Sequence, residues 1–561
     1  MNQRFLLPLL LFMITASAAI AQPYNTLWIP DTLSGTTFAL TMNAATKQFR
    51  TGAVTNTYGY NGNAYLGPTL IMHKGDSVQI HVTNNLMDST TLHWHGFHIP
   101  AMMDGGPHQP IPPGTTWSPM FRIRNNAATF WYHPHLHMMT EQQMMMGLTG
   151  MIIVRDDQES ALALPRTYGV DDIPLILHDR RFDNSNQLVQ DTYGDSMLVN
   201  GTLSAQLAAP AQMVRFRVLN AASERAYNIG FSDNRTFYVI GTDGGLLNAP
   251  VPVTRKVLGV GERVEIIVDF SGQSGQSVDL MAYNAGQKMG YPGSEPQASG
   301  KFGSALNNRN FRMLHIAVGP STTAPITVLP KQLTTITFLD PTAVNVTRQV
   351  KLTDGFNGSA FRFDSTSFNM EVINKTVHLN DVEIWELKNI SAFSHTFHIH
   401  DVEFNILSRN GVAPNAEEHG WKDVALVNMN ETVRFITRFE DFADPEHPYM
   451  YHCHIGFHED GGMMGQFVVV QSPSGIAEGG ITTGGSGLRI APNPATDLLT
   501  VRINGGDIAK VQIINYAGMI VTERTPSANG AVDIAGLPAG LYFLRATDTR
   551  GISRVGKFIR M

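Results

Sequence analysis

The chain has one cysteine, Cys453, in 561 residues. That excludes an internal disulfide framework, and it speaks against a structural zinc module, which usually draws on two or more thiolates. Charged residues make up only 16% of the chain, and the formal net charge is -7. No basic excess marks nucleic acid or an acidic membrane surface as a partner. Beyond the N-terminus no apolar run approaches the length needed to span a membrane. Long amphipathic helical repeats are scarce. What remains is a chain too long for one hydrophobic core, which implies three or four domains, and a hydrophobic content of 43% that can pack them.

The first residues, "MNQRFLLPLLLFMITASAAIAQ", combine a charged start at Arg4, a short apolar stretch and a small-residue "AIA". This is the pattern of a secretory signal peptide over 1–21, so the mature protein is expected outside the cytoplasm, secreted or attached to the cell surface. The body then reads as short β-strands such as "DSVQIHVTN", "MVRFRVLN", "RVEIIVDF" and "GQFVVVQ", bounded by Gly, Pro, Asn and Asp. The spacing predicts an all-β chain of sandwich domains over 22–165, 166–322 and 323–472. A Gly/Ser-rich linker over 473–487 separates them from a small β-rich tail, 488–561.

Histidine is the residue that is unevenly placed. His-x-His occurs at 93/95, 133/135, 135/137, 398/400 and 452/454 among twenty histidines, more often than random placement gives. Neutral imidazole is the commonest metal ligand. In a strand, residues i and i+2 share a face and i+1 takes the other. His452 and His454 therefore aim at one place and Cys453 at another, so one short covalent path can join two metal sites. On the thiolate side, His395, His458 and Met463 complete a two-histidine, one-cysteine set with a weak thioether, the donors of a blue-copper site; zinc is the rival, and a thioether suits it poorly. The other side gathers eight imidazoles from the first and third blocks, too many for one metal and suited to a cluster of three.

The motifs "HWHG", "WYHPH", "HTFHIH" and "HCHIGFHEDGGM" stand in that order. Over roughly 25–470 the chain resembles a three-domain bacterial multicopper oxidase of the laccase and cuprous-oxidase type. The resemblance implies cupredoxin-like Greek-key sandwiches and four coppers per chain. His395, Cys453, His458 and Met463 would bind a type 1 copper. His93 and His398 would bind type 2 copper, and His95, His133, His135, His400, His452 and His454 a type 3 pair. His137 has no slot. Thr396 stands where members often have Pro, and Asp401 where they often have Gly. The tail's "PNPATD" and "LPAGLYFLR", with its basic end, resemble a type IX secretion sorting domain, which makes that machinery an expected partner; a generic carbohydrate-binding or spacer β-domain is the plainer reading.

The family chemistry implied is one-electron oxidation of a donor at type 1 copper coupled to reduction of O2 to water. Asp104 and Glu459 match acidic positions on the proton path, although Asp104 before Gly105-Gly106 also reads as a turn residue. Asp423, in "HGWKDVALV", matches an acidic group beside the type 1 histidines, where it would hold a phenol or a cuprous ion. Nine methionines fall between Met102 and Met151. Thioethers suit Cu(I), yet Met also fills irregular cores; packing is the reading for Met144 to Met146, while Met102, Met103, Met138 and Met139 stay open. No long methionine-rich insertion precedes the third motif, which favours a laccase-like enzyme on phenolic donors over a metal oxidase acting on Cu(I), Mn(II) or Fe(II). A non-enzymatic cupredoxin needs no cluster histidines, and a two-domain nitrite reductase lacks the full set. The middle block, without paired histidines, reads as a spacer, and the expected state is a monomer.

Overall fold

A computed structural model describes residues 24–190, 193–295, 302–354, 361–471, 488–503, 507–515, 519–527 and 529–561. The expected signal peptide and the 473–487 linker lie outside the described residues. The chain divides into two compact units, 1–469 and 470–561. Nearly all of the regular structure is β, with only a few short helical turns.

The first unit contains three sandwiches, each a pair of sheets closed on its own apolar core. In the first, the sheet ordered Thr32–Ser34, Thr69–His73, Gly150–Arg155, Ala128–His133, His93–His95 lies over the sheet built on Thr55–Tyr60, Thr37–Lys47 and Ser77–Asn84. Leu40, Ile80 and Val82 meet Leu70, Ile152 and Trp94 between them. The strand pattern of Ser77–Asn84, alternately buried and half-exposed, shows why it forms: one face packs and the other meets water. The middle sandwich buries a larger set that includes Phe216, Val218, Ile229, Phe231, Val264 and Ile266. In the third, Trp385, Phe397, Phe435 and Tyr451 share the core with Cys453 and Met463.

One pairing recurs in all three. Thr37–Lys47 runs parallel to Ser77–Asn84, Asp172–Phe182 to Met213–Asn220, and Val346–Thr353 to Val382–Asn389. Parallel neighbours require a crossover between the sheets, which is what a Greek-key sandwich supplies. The short strand Asn25–Thr26 departs from the expected blocks. It pairs with Ala205–Pro210 of the middle sandwich, so the segment read as the start of the first domain serves the second.

The second unit is a small sandwich of its own. Leu488–Ala491, Leu498–Ile503 and Ala531–Asp533 face Ile520–Arg524, Ile508–Asn515, Gly540–Asp548 and Ser553–Arg560, with Leu499, Val511, Ile513, Leu544 and Phe558 buried between them. Among the described residues no helix is long and apolar enough to cross a membrane.

Candidate metal centre

Two strand pairs carry the chemistry. His93–His95 is the edge strand of its sheet and pairs with Ala128–His133, with His133 opposite His93. In the third sandwich, His395–Ile399 pairs with Asp444–Cys453, with His398 opposite His452 and Phe397 opposite Cys453. The alternation of the last strand sends Cys453 into the sandwich core. Its neighbours His452 and His454 turn to the opposite side, towards the histidines of the first sandwich.

On the core side, Cys453 Sγ lies 3.6 Å from His395 Nδ1 and 3.5 Å from His458 Nδ1, and those two nitrogens are 3.1 Å apart. Three donors thus converge on one point, all buried. Ser391 Oγ meets the outer nitrogen of His395 at 2.7 Å. Phe361 packs over both rings, 4.9 Å from His395 and 4.1 Å from His458. Met463 is fully buried and tied to the same loop: its carbonyl accepts from the Cys453 N–H at 3.0 Å, and its N–H donates to the His458 carbonyl at 2.9 Å.

On the far side the remaining eight histidines form overlapping buried triads: His93 with His398 and His400, His93 with His95 and His133, and His135 with His400 and His452. His454 Nε2 closes the set at 3.2 Å from His95 Nδ1. Seven of the eight rings meet a protein oxygen on their outer side. His93 Nδ1 bonds the Asp104 carbonyl at 2.9 Å, His133 the Pro134 carbonyl at 2.8 Å, and His398 the Asp423 carbonyl at 2.9 Å. His400 Nδ1 meets Asp104 Oδ2 at 2.7 Å. Glu459 reaches two rings, His135 Nδ1 at 3.4 Å and His452 Nδ1 at 3.2 Å. With one nitrogen held, the other is aimed inward. His93 Nε2, His398 Nε2 and His400 Nε2 are buried and have no hydrogen-bond partner. Buried polar atoms are normally satisfied, so these three orphans facing one another fit a site made for metal ions.

The electrostatics agree. Burial holds His135, His395 and His454 at about 3. Burial, together with the crowding of like imidazoles, also places His95, His133, His398 and His400 well below the ordinary value. These rings are neutral, the form that binds metal. Burial pushes the Cys453 thiol well up, so a thiolate there needs a cation beside it.

One sequence expectation, the place of Asp423, meets a different geometry. Asp423 is not beside His395 and His458. It is fully buried on the cluster side, with Oδ1 3.1 Å from His95 Nε2 and both oxygens on the Arg263 guanidinium. The reason is register: Val424–Val427 pairs with His395–Ile399 so that Val424 faces His398, which carries the preceding Asp423 past the cluster end of the strand. It is closed to a reductant. Asp401, where relatives often have Gly, is buried with φ of 74° and both carboxylate oxygens unpartnered; burial raises it well above the usual carboxylate range. His137 is half-buried, edge-on to Phe368 and apart from the triads. Met144 and Met145 are buried in packing, whereas Met102 is 51% and Met138 67% exposed. Sequence reasoning missed Arg263, Ser391 and Phe361. Arg263 opens the strand "RVEIIVD", and a buried arginine leading an apolar strand was the only available signal.

Comparison with known proteins follows the same lines. Residues 41–159 and 336–473 match family models described as Multicopper oxidase, and 489–560 matches one described as Secretion system C-terminal sorting domain. A multicopper oxidase of Staphylococcus haemolyticus is 33% identical over 432 residues, covering 75% of this chain and 86% of the relative. A protein of Rahnella sp. named cell division protein FtsP is 33% identical, covering 82% of this chain and 95% of its own. Among solved structures, the laccase-like multicopper oxidase CueO from Ochrobactrum sp. superposes with a TM-score of 0.72 at 33% identity, covering 79% of this chain and 100% of that one. Taken with the buried donor sets, these likenesses make the chain a member of the multicopper oxidase family, a copper-dependent oxidoreductase that uses O2, carrying a type IX secretion sorting domain.

Proposed function

We propose that the protein is a laccase-like oxidase that draws single electrons from phenolic or other aromatic donors and passes them to O2, with four coppers per chain. The observation that carries this is the junction at Cys453. One residue belongs to the His395–His458 donor set, and both of its sequence neighbours belong to the eight-histidine set. His395, Cys453, His458 and Met463 would hold type 1 copper, His93 and His398 type 2, and His95, His133, His135, His400, His452 and His454 the type 3 pair. Bound copper supplies the one-electron redox chemistry and the binding of O2.

The chain's own groups do the rest. Backbone carbonyls of Asp104, Pro134 and Asp423 fix ring tautomers so that the inward nitrogens carry free lone pairs. Asp104 and Glu459 are buried carboxylates that touch cluster rings from the outside, and they would hold protons that O2 reduction consumes. The low dielectric around Cys453 and Phe361 excludes water from the thiolate site.

A reductant would approach beside His395. Its neighbour Ser394 lines a cleft of 660 Å³ with Tyr291, Arg255, Lys256, Glu417 and Met429, polar enough to receive a phenol's hydroxyl and wide enough for its ring. A second reading, oxidation of Cu(I) or another metal ion, is favoured by the exposed thioethers of Met102 and Met138. The Campylobacter jejuni neighbour, described as a metallo-oxidase, also fits that reading. O2 uptake by the copper-loaded enzyme, measured with 2,6-dimethoxyphenol and with chelated Cu(I), separates them. Phenol turnover independent of added copper supports the laccase reading. Preference for Cu(I) transfers the function to metal oxidation, and no uptake at full copper content refutes both.

A further inference from the structure

The candidate ligands come from the first and third sandwiches, and none comes from the middle one. We propose that Arg263, at the head of the middle sandwich's strand Arg263–Asp269, is a positioning residue for the histidine cluster: it fixes the Asp423 carboxylate and thereby the nitrogen that His95 presents to metal. The proposal rests on the copper reading above.

Arg263 is 1% exposed, and every one of its five guanidinium N–H groups is used. Nε donates to the Thr129 carbonyl at 3.0 Å. Nη1 donates to the Gly261 carbonyl at 3.1 Å and Asp423 Oδ1 at 2.6 Å. Nη2 donates to the Asp243 carbonyl at 3.1 Å and Asp423 Oδ2 at 2.5 Å. A fork held at five points cannot rotate without breaking several bonds, and its two parallel bonds set the plane of the carboxylate it grips.

That plane matters to one ring above the others. His93, His133, His398, His400 and His452 turn Nδ1 outward onto a protein acceptor. His95 turns Nε2 outward, onto Asp423 Oδ1 at 3.1 Å, and so offers Nδ1 inward, 3.4 Å from His133 Nε2 and 3.2 Å from His454 Nε2. A ring flip at His95 would move the donor atom and lose the bond to Asp423. The space around the pair is closed as well: a Cβ on Gly96, whose φ is 88°, would fall 2.4 Å from Asp423 Oδ2 and 2.8 Å from Arg263 Nη2.

The middle sandwich grips the two residues that precede Asp423. The Trp421 carbonyl accepts from the Gly244 N–H at 2.9 Å and from Thr242 Oγ1 at 2.7 Å. Lys422 Nζ reaches Asp243 Oδ2 at 2.8 Å and Glu262 Oε1 at 2.9 Å. Asp243 Oδ1 in turn accepts from the Arg263 N–H at 2.8 Å. Simple adhesion between sandwiches accounts for the Lys422 bonds. It does not require the Arg263 fork to end on the carboxylate that holds the outward nitrogen of His95.

The test uses the full-length enzyme with R263M, R263K and D423N variants. Three readouts are copper retained against a competing chelator, the near-ultraviolet band of the coupled copper pair, and the blue thiolate band as an internal control. Losing such an outer anchor weakens metal affinity about 10- to 100-fold. R263M and D423N are expected to lose cluster copper in that range with the blue band intact, and R263K, a point charge without the fork, to fall between. Adhesion alone predicts equal loss at both sites, which would overturn the proposal, as would R263M indistinguishable from the parent. If R263M fails to fold, D423N, close to isosteric with Asp423, decides by the same criteria. A parent enzyme that takes up no cluster copper would refute the copper reading itself, which is a separate result.

Discussion

Replacing Glu459 with Gln tests how the cluster is held. The two carboxylate oxygens face two imidazole nitrogens, His135 Nδ1 at 3.4 Å and His452 Nδ1 at 3.2 Å, in a site where Glu459 is 1% exposed. If the opposite nitrogens bind metal, both Nδ1 atoms carry protons; His452 Nδ1 also has the Cys453 carbonyl at 3.1 Å, so His135 Nδ1 is the one that relies on Glu459. A carboxylate supplies two acceptors. The amide of Gln supplies one and turns an NH2 donor towards the other ring. One charge-assisted contact is lost, worth about 1.5–3 kcal/mol. At about 1.4 kcal/mol per decade, this weakens the hold on copper by roughly 10- to 100-fold. The shape of the side chain is kept, so packing does not change. The assay is copper per chain after dialysis against buffers of graded free copper, with the blue band as reference for the separate Cys453 set. Expected are loss of cluster copper at higher free copper than the parent and little change in the blue band. Retention within twofold of the parent would refute the claim that Glu459 anchors these two rings.

Cys453→Ser removes the thiolate and leaves the eight-histidine set in place; the blue band and turnover with any reductant should vanish while the near-ultraviolet copper band persists in the spectrum of the loaded protein. Gly261→Ala puts a Cβ 2.9 Å from His454 Cδ2 at a residue with φ of 84°; a backbone cost of about 1–2 kcal/mol plus the push on His454 should lower the melting temperature and disturb the cluster's spectrum more than the blue band. Acid should destabilise the middle sandwich. Burial raises the Asp172 carboxyl, but Arg217, Arg215 and Arg155 outweigh it and hold it at about 2 against an ordinary 3.8. A depressed carboxylate contributes stability above its unfolded value and loses it as pH falls, so about 2 kcal/mol should disappear between about pH 4 and pH 2. Thermal melts across that range should show the loss, and Asp172→Asn should flatten it.

Much of the site could be read from the sequence because it is written in short periods. The i, i+2 spacing of His93/His95 or His452/His454 fixes which side chains share a face, and the strand His93–His95, and Asp444–Cys453 with His454 just past its end, put those pairs where that spacing implies. Their convergence across two sandwiches could not be read locally; it rested on the order of four motifs. Asp423 shows the limit. Its place depends on which residue of Val424–Val427 stands opposite His398, a register set by partners far away in sequence. The role of Arg263 could not be read for the same reason, since its partner lies 160 positions away. Asn25–Thr26 joined the middle sandwich by pairing with residues far along the chain, which no boundary drawn on composition could anticipate.

A chain with one cysteine has no disulfide with which to tie distant segments together. His135 and His452 are 317 positions apart in sequence, yet their Nε2 atoms are 3.2 Å apart. A metal bound between them would act as a cross-link, closing a loop whose constraint on the unfolded chain is worth on the order of 5 kcal/mol by the entropy argument used for disulfides. Copper would then be a structural staple as well as a cofactor. Starved of it, the enzyme would lose the clasp between its first and third sandwiches along with its activity, and protease sensitivity outside the cell would report the copper supply.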